Sequence, residues 1–279
     1  MRQALHRRRE HPEFDTHSEC GDAAAVGRKV SGRKVSGTFF LTGVRLVDSN
    51  NAMGRPQRAA DGGMVYHVLN RGNARMPIFE SDADYEALER VLEQAVERYG
   101  TDLLAWCLMP NHWHLVVKPH ADGELSRFVG WLTLTHTQRW HAHRHSRGAG
   151  HVYQGRFKSF AIQAEDHFLT VCRYVERNAL RANLVRRAED WRWSSLWRWH
   201  HGDARQKSIL APWPVRRHAG WLDHVNVAQT EAELAAIRHS VARGTPYGDE
   251  RWTARVVKRL GLETTVRPRG RPRTHEKGS

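Results

Sequence analysis

Residues 108–117 predict a tight turn followed by a strand, and they read Leu108-Met109-Pro110-Asn111-His112-Trp113-His114-Leu115-Val116-Val117. Side chains alternate between the two faces of a strand, so His112 and His114 point one way while Trp113 and Leu115 point the other. The apolar pair suits a face buried in a core, and two imidazoles on one face suit a divalent metal ion. The stretch therefore predicts a strand with a core side and a candidate metal side.

The hydrophobic pattern on either side of this stretch predicts further strands and helices. The other predicted strands are 64–70, 101–109 and 157–163, and the predicted helices are 82–99, 123–144 and 165–178. Their order, β-α-β-β-α-β followed by a third helix, is that of a ferredoxin-like antiparallel sheet with helices on one face. We therefore predict an α+β fold with such a core, extended at the C-terminus by a basic helical region.

Composition indicates the class of partner. The 279 residues are 40% hydrophobic, which is enough for a sizeable core, and 44 Lys and Arg outnumber 30 Asp and Glu to give a net charge of +14. Such a charge favours polyanions, so nucleic acid is the expected partner, and no apolar run predicts a membrane span. The cysteines, Cys20, Cys107 and Cys172, lie too far apart for a disulfide framework or a zinc knuckle, which fits a cytoplasmic protein.

Changes in composition divide the chain into five parts. Residues 1–52 contain a direct repeat of Gly-Arg-Lys-Val-Ser and predict a disordered or adventitious extension, with Met53 as an alternative start. The expected parts that follow are a core domain at 53–201, a linker at 202–227, a helical DNA-binding module at 228–262 and a basic tail at 263–279. In the tail, Arg269 and Arg271 flank Gly270 as in an AT-hook, whose arginines enter a narrow minor groove.

The third predicted helix carries two polar residues of chemical interest. Tyr174 and Asn178 are four residues apart and therefore share a helix face beside the apolar stripe. Taken alone, Tyr174 is typical of an amphipathic helix and Asn178 of a helix end. Together with the histidine pair they predict a composite site.

Three further segments accompany these motifs. They are Tyr153-Gln154-Gly155-Arg156-Phe157-Lys158-Ser159, the run from Tyr66-His67-Val68 to Asn70-Arg71-Gly72-Asn73, and Trp191-Arg192-Trp193-Ser194-Ser195. With His112-Trp113-His114 and the segment from Tyr174 to Val185, they resemble the signature segments of the HUH single-tyrosine transposases. Within that group the chain is most similar to REP-associated tyrosine transposases, strongly over about 53–201 and more loosely over 244–273.

The resemblance implies a metal-dependent single-stranded DNA endonuclease and strand transferase that acts on hairpin, REP-like DNA as a monomer or homodimer. Tyr174 would be the nucleophile of a 5′-phosphotyrosine intermediate, and His112, His114 and Asn178 would hold the metal. The family suggests Mg²⁺ or Mn²⁺, whereas two imidazoles by chemistry alone suggest zinc, manganese or cobalt. Tyr153 is the rival nucleophile, at a position where the family commonly has a noncatalytic aromatic.

The sequence gives weaker signals for the residues that would contact DNA than for the candidate site. Arg156 and Lys158 alternate with Phe157 in the fourth predicted strand, where they could contact phosphates. Tryptophans at 191, 193, 197 and 199 interleave with arginines and could either stack on bases or pack in the core, which we favour for Trp193. The histidines from His136 to His145 lack a consistent ligand geometry and predict a polar helix end.

Three alternative functions remain open. A noncatalytic, sequence-specific DNA- or RNA-binding protein on a ferredoxin-like sheet would share the charge and the fold. A host-adapted transposase that binds hairpins without mobilising itself is the second, and a zinc hydrolase is the third. No further His or Asp follows at ligand spacing, which disfavours the hydrolase.

Overall fold

The structure is a computed structural model that describes residues 60–267. Its strands are β1 (Val65–Arg71), β2 (Asp102–Met109), β3 (His112–Lys118) and β4 (Lys158–Ile162). The helices of the first half are α1 (Asp82–Tyr99), α2 (Glu124–His143), α3 (Asp166–Glu176) and α4 (Asn178–Arg181). Those that follow are α5 (Ser195–His201), α6 (Ala204–Lys207), α7 (Trp221–Asn226), α8 (Glu231–Arg243), α9 (Glu250–Leu260) and α10 (Glu263–Val266). Short 3-10 turns occur at Asn73–Arg75 and Ala188–Asp190.

The strands form one antiparallel sheet in the order β2-β3-β1-β4. Together with the α1 and α2 crossovers, this is the ferredoxin-like topology, so the predicted α+β fold class is confirmed. The register aligns Leu69 of β1 with His114 of β3 on one side and with Lys158 of β4 on the other. Residues directly opposite each other share a face of the sheet, so His114 and Lys158 lie on the same face.

Local sequence signals explain where α1 begins and ends. The carboxylate of Asp84 accepts a hydrogen bond of 3.1 Å from the backbone N–H of Ser81, as in a capping box. At the other end Gly100 adopts a left-handed φ of 68°, and its N–H donates to the carbonyl of Val96. Glycine is favoured there because a Cβ is strained at positive φ. The helix therefore matches the predicted span of 82–99.

One face of the sheet packs against α1 and α2. Trp113 and Leu115 of β3 are buried there beside Leu88 of α1 and Phe128 of α2. The α9 helix contributes Leu260 to the same core. The side of β3 that the sequence predicts to be apolar therefore faces the first core.

The opposite face is also covered, whereas the sequence predicted helices on one face only. Phe168 of α3, Trp221 of α7 and Ile237 of α8 pack there against Val116 of β3 and Phe160 of β4. The physical reason is that the strands carry apolar residues on both faces, so both need cover. The histidine face of β3 consequently lies at the edge of a second core.

The C-terminal half packs into this body. The segment 202–227, predicted as a linker, contributes the buried Trp221 and Val225 to the second core. The region predicted as a helical module contains α8 and α9, as its pattern indicated. Residues 1–52, the alternative start at Met53, and Arg269 and Arg271 lie outside the described residues.

The ends of these elements lie within two residues of the predicted ones, and two of the differences involve candidate site residues. The α3 helix ends at Glu176 and α4 begins at Asn178, and the side chain of Arg177 between them donates hydrogen bonds to the carbonyls of Val225 and Asn226. Strand β4 begins at Lys158, so Arg156 precedes it, although Arg156 and Lys158 are exposed and Phe157 is buried as expected. Within residues 60–267, no helix has both the length and the apolar character that a bilayer span requires.

Candidate active site

The histidine pair lies at the start of β3. The rings of His112 and His114 share a face of the sheet, with their centroids 5.0 Å apart. Burial, assisted by Arg71 and Arg181, lowers the pKa of His112 to about 4, and burial likewise lowers the pKa of His114 well below 6.5. Both imidazoles are therefore neutral at pH 7, which leaves ring nitrogens able to bind a cation.

A third histidine, not singled out as a site residue in the sequence analysis, lies behind the pair. His67 of β1 is fully buried, and its Nε2 lies 2.8 Å from Nδ1 of His114. This hydrogen bond uses one nitrogen of His114 and leaves Nε2 for a ligand. Metal-bound histidines commonly have such a partner on their other ring nitrogen, which sets tautomer and orientation. The signal in the sequence was one histidine, His67, within the apolar run of residues 64–69.

The buried His67 makes stability depend on pH. Burial lowers its pKa from 6.5 to about 3, so the unfolded chain takes up a proton before the folded chain does as the pH falls. The neutral state of His67 therefore contributes its full stabilisation above pH 6.5, and this stabilisation is lost as the pH falls toward 3. The loss in unfolding free energy amounts to about 2 kcal/mol at pH 5. We expect His67→Gln to reduce the loss of unfolding free energy between pH 7 and pH 5 by about that amount in denaturant titrations. His143→Gln removes an exposed imidazole and is the control; equal pH dependence in His67→Gln and the parent would contradict the expectation.

Tyr174 is brought to the histidines by α3. Its ring centroid lies 5.8 Å from that of His114 and 6.3 Å from that of His67, both edge-on. The side chain is buried, and Cζ of Arg181 lies 4.2 Å from the ring centroid. The tyrosine and the histidine pair of one chain therefore form one cluster.

Asn178 joins the cluster through Arg181. Its Oδ1 accepts a hydrogen bond of 2.6 Å from Nη2 of Arg181, and its buried Nδ2 has no hydrogen-bond partner among the described residues. Burial lowers the pKa of the Arg181 guanidinium, and the Tyr174 phenol opposes that shift. One arginine thus contacts both the predicted nucleophile and the predicted third ligand.

The donor set suits a divalent cation with open coordination positions. Two neutral imidazoles and one amide oxygen would leave the charge of the ion for a phosphate. The part of the chain that the structure describes has no group of three or more His, Cys, Asp or Glu arranged for a metal. A third bond from Asn178 would also require Arg181 to release its oxygen. The two histidines are therefore the core of any such site.

Residues 62–178 match the family model described as "Transposase IS200 like". Over these residues the chain is similar to IS200-like transposases. The matched range begins just before β1, includes both histidines and Tyr174, and ends at Asn178. The match agrees with the resemblance to single-tyrosine transposases that the sequence motifs indicate.

Two solved structures are similar to this chain. One is a REP-associated tyrosine transposase bound to a REP hairpin, with 18% identity, 60% of this chain and 94% of that chain covered, and a TM-score of 0.43. The other is a protein of Deinococcus radiodurans described as a candidate transposase, with 16% identity, 47% and 95% coverage, and a TM-score of 0.33. Among curated proteins, none matches the chain.

Cationic side chains lie near the cluster of His112, His114 and Tyr174. Arg71 pairs with His112 across β1 and β3, and Lys158 lies on the histidine face of β4. Arg71, Arg156 and Lys158 also line a cleft of about 380 Å³. The face that carries the histidines can therefore accept an anionic chain along several phosphates.

Tyr153 lies on the other face of the sheet. Its hydroxyl is 3.0 Å from Nε1 of Trp113, which donates to it, and 2.8 Å from Nδ1 of His136. Burial raises the pKa of Tyr153 above its ordinary value. Since Trp113 and His114 point to opposite faces, this phenol is separated from the histidine pair. His136, which the sequence placed at a polar helix end, is instead buried as the partner of Tyr153.

Most tryptophans of the Trp-rich stretch serve packing. Trp193 is buried, as we favoured from the sequence, and stacks on Tyr85 with ring centroids 4.8 Å apart. Trp191 is half-buried and donates from Nε1 to the carbonyl of Leu108 at 2.8 Å. Trp199 differs, because it is 36% exposed.

Proposed function

We propose that this chain cleaves single-stranded DNA through a 5′-phosphotyrosine on Tyr174 and passes the bound strand to a new 3′ end. The observation that carries the proposal is the 5.8 Å separation between the rings of Tyr174 and His114 within one chain. The family match supports it, because a transposase must break and rejoin phosphodiester bonds.

The chemistry assigned to Tyr174 balances without an added energy source. The phenolic oxygen attacks phosphorus, the P–O3′ bond breaks, and the released 3′ oxygen takes up the proton that the phenol loses. The phosphodiester is conserved as a phosphotyrosine, so a second 3′ hydroxyl can reverse the step and join a new strand. Tyr174 would thus be both nucleophile and leaving group.

His112 and His114 would hold the divalent ion, Mg²⁺ or Mn²⁺, with Asn178 as a third ligand once Arg181 releases it. When bound, such an ion supplies charge neutralisation at the scissile phosphate and orients it for in-line attack. The stacked Arg181 is placed to stabilise negative charge that develops on the Tyr174 oxygen.

The substrate we propose is hairpin DNA with unpaired flanks, as in REP-like elements. Arg156 and Lys158 would contact flanking phosphates along the cleft beside β4. Arg269 and Arg271 of the tail are proposed as minor-groove contacts. One chain contains both the tyrosine and the histidines, so cleavage would not need exchange between subunits, whether the protein is a monomer or a homodimer.

The test is capture of the covalent adduct. We expect full-length protein with Mn²⁺ and a pool of DNA hairpins with randomised unpaired flanks to yield a protein–DNA adduct that survives denaturation. A label at the 3′ end should stay with the protein, and a label at the 5′ end should be released, because the tyrosine retains the 5′ phosphate. An adduct that keeps the 5′ label instead would indicate a 3′-phosphotyrosine and contradict the proposed step. Binding without any adduct would favour the noncatalytic DNA- or RNA-binding alternative.

The metal proposal has its own measurement. We expect His112→Ala to lower the affinity for Mn²⁺ at least about tenfold in isothermal titration calorimetry, because it removes one of two imidazole ligands. His120→Ala, which removes an imidazole that pairs with Asp102 at the far end of the sheet, is the matched control. Equal Mn²⁺ affinity in His112→Ala and the control would remove the histidine pair as the binding site.

A further inference from the structure

A second basic surface lies apart from the histidine cluster, between α5 and the segment that follows α6. It is a groove of about 460 Å³ whose walls include Trp199, Lys207, Pro212, Trp213, Arg216 and Arg217. Within the described chain, no acidic residue lines it. Nothing in the proposed cleavage step uses these residues.

Trp199 is held in place before any ligand arrives. Cζ of Arg217 lies 3.8 Å from the ring centroid of Trp213 and 4.1 Å from that of Trp199, so the guanidinium contacts both rings. Arg217 is fixed in turn by the fully buried carboxylate of Glu176, 3.7 Å away. A preorganised aromatic surface loses little side-chain entropy when it binds a ligand.

The ring of Trp213, which also lines the groove, is held by its own contacts. The indole N–H of Trp213 donates to the carbonyl of Leu104 at 2.7 Å, and its ring packs edge-on against Phe168 with centroids 5.1 Å apart. Lys207 and Arg216 are exposed at the rim. The groove therefore combines a partly exposed aromatic ring, exposed cations at the rim and a base held by packing and hydrogen bonds.

This combination identifies the chemistry of the ligand. An aromatic face binds the π-face of a nucleobase, and flanking cations bind its phosphates. In a duplex each base is covered by its neighbours, so only an unpaired nucleotide offers a free face. The net charge of +14 adds a general attraction for a polyanion.

We propose that this groove is a second DNA-binding site, which takes an unpaired nucleotide with its base against Trp199 and its phosphates at Lys207 and Arg216. It extends the proposed function, because it would hold single-stranded DNA away from the residues that cleave it. The buried pair of Glu176 and Arg217 links the groove to the helix that carries Tyr174.

The experiment measures binding in the full-length Tyr174→Phe protein, so that no covalent step contributes. Fluorescence anisotropy with labelled oligothymidylate should show about a tenfold weaker affinity when Trp199→Ala is added, because the substitution removes the ring on which the base would stack. The slope of affinity against salt should not change, because stacking releases no counterions. Arg216→Ala should instead reduce that slope by about one phosphate contact.

Trp197→Ala is the matched control. Trp197 lies in the same helix and also contacts an arginine, with Cζ of Arg192 4.2 Å from its ring, but it does not line the groove. We expect it to bind oligothymidylate as the Tyr174→Phe parent does, while a blunt duplex binds all three proteins alike. Unchanged affinity in Trp199→Ala, or an equal loss in Trp197→Ala, would overturn the proposal and leave the groove to a protein partner.

The result is separable from the test of cleavage. A wild-type protein that forms no adduct would refute the proposed chemistry, yet the Trp199 comparison would still report whether the groove binds DNA. Conversely, normal adduct formation with unchanged binding in Trp199→Ala would refute the groove alone.

Discussion

Replacement of Tyr174 by phenylalanine should reduce formation of the protein–DNA adduct by at least about 10³-fold, because no other nucleophile is proposed for the step. The substitution removes one oxygen and keeps the ring that packs against His114 and beneath Arg181. The fold and the affinity for Mn²⁺ should therefore stay close to those of the parent. Gel analysis after denaturation, with the 3′-labelled hairpin pool, measures the loss.

Tyr153→Phe is the matched control for this prediction. It also removes one phenolic oxygen, but on the face of the sheet that holds Trp113 and His136. We expect it to lower stability by about 1 kcal/mol through lost hydrogen bonds and to retain the adduct. Loss of the adduct in Tyr153→Phe with its retention in Tyr174→Phe would exchange the two assignments.

The second large effect concerns stability rather than chemistry. Glu176 is fully buried, and its two carboxylate oxygens accept hydrogen bonds of 2.9 Å from Ser195 and 2.7 Å from Trp221. Burial raises the pKa of Glu176, and Arg217 opposes that shift. Glu176→Ala would leave three buried or half-buried donors without their acceptor, so we expect a loss of about 3–5 kcal/mol in the free energy of unfolding. Denaturant titration with circular dichroism measures it.

Ser195→Ala is the control that separates the loss of one hydrogen bond from the loss of the whole Glu176 carboxylate. It removes one hydrogen bond to Glu176 and keeps the contacts with Trp221 and Arg217, so we expect a loss of about 1 kcal/mol. A loss below 1 kcal/mol for Glu176→Ala itself would show that the cluster does not depend on the carboxylate. Such a result would also weaken the argument that Arg217 is fixed beside Trp199.

The fold was largely predictable because its signals are local. Three such signals indicated the order of strands and helices, and each extends over only a few residues. They are the alternation of polar and apolar residues in β3, the capping residues Ser81 and Asp84, and the apolar side of α1. The cover on the second face of the sheet was not predictable in the same way. It depends on Trp221 and Ile237, which reach Val116 from more than a hundred residues away in sequence.

The candidate site likewise has one part that local spacing predicts and one part that depends on tertiary contacts. His112 and His114 share a face because they are two apart in a strand, and this could be predicted from spacing. The contact of Arg181 with both Tyr174 and Asn178 could not, because it arises where α3 ends and α4 begins. At this junction the side chain of Arg177 donates hydrogen bonds to the distant carbonyls of Val225 and Asn226.

The sequence by itself determined the ferredoxin-like order of elements, the basic character and the two imidazoles on one strand face, because side-chain periodicity and charge are properties of short segments. Only the tertiary structure decided that Tyr174 meets those imidazoles while Tyr153 is enclosed on the opposite face. It also decided that His67 hydrogen-bonds to His114 and that, among the four tryptophans at 191, 193, 197 and 199, Trp199 is the exposed one. These outcomes depend on how separate segments pack against a sheet with two buried faces, and packing of that kind is set by contacts between residues far apart in the chain.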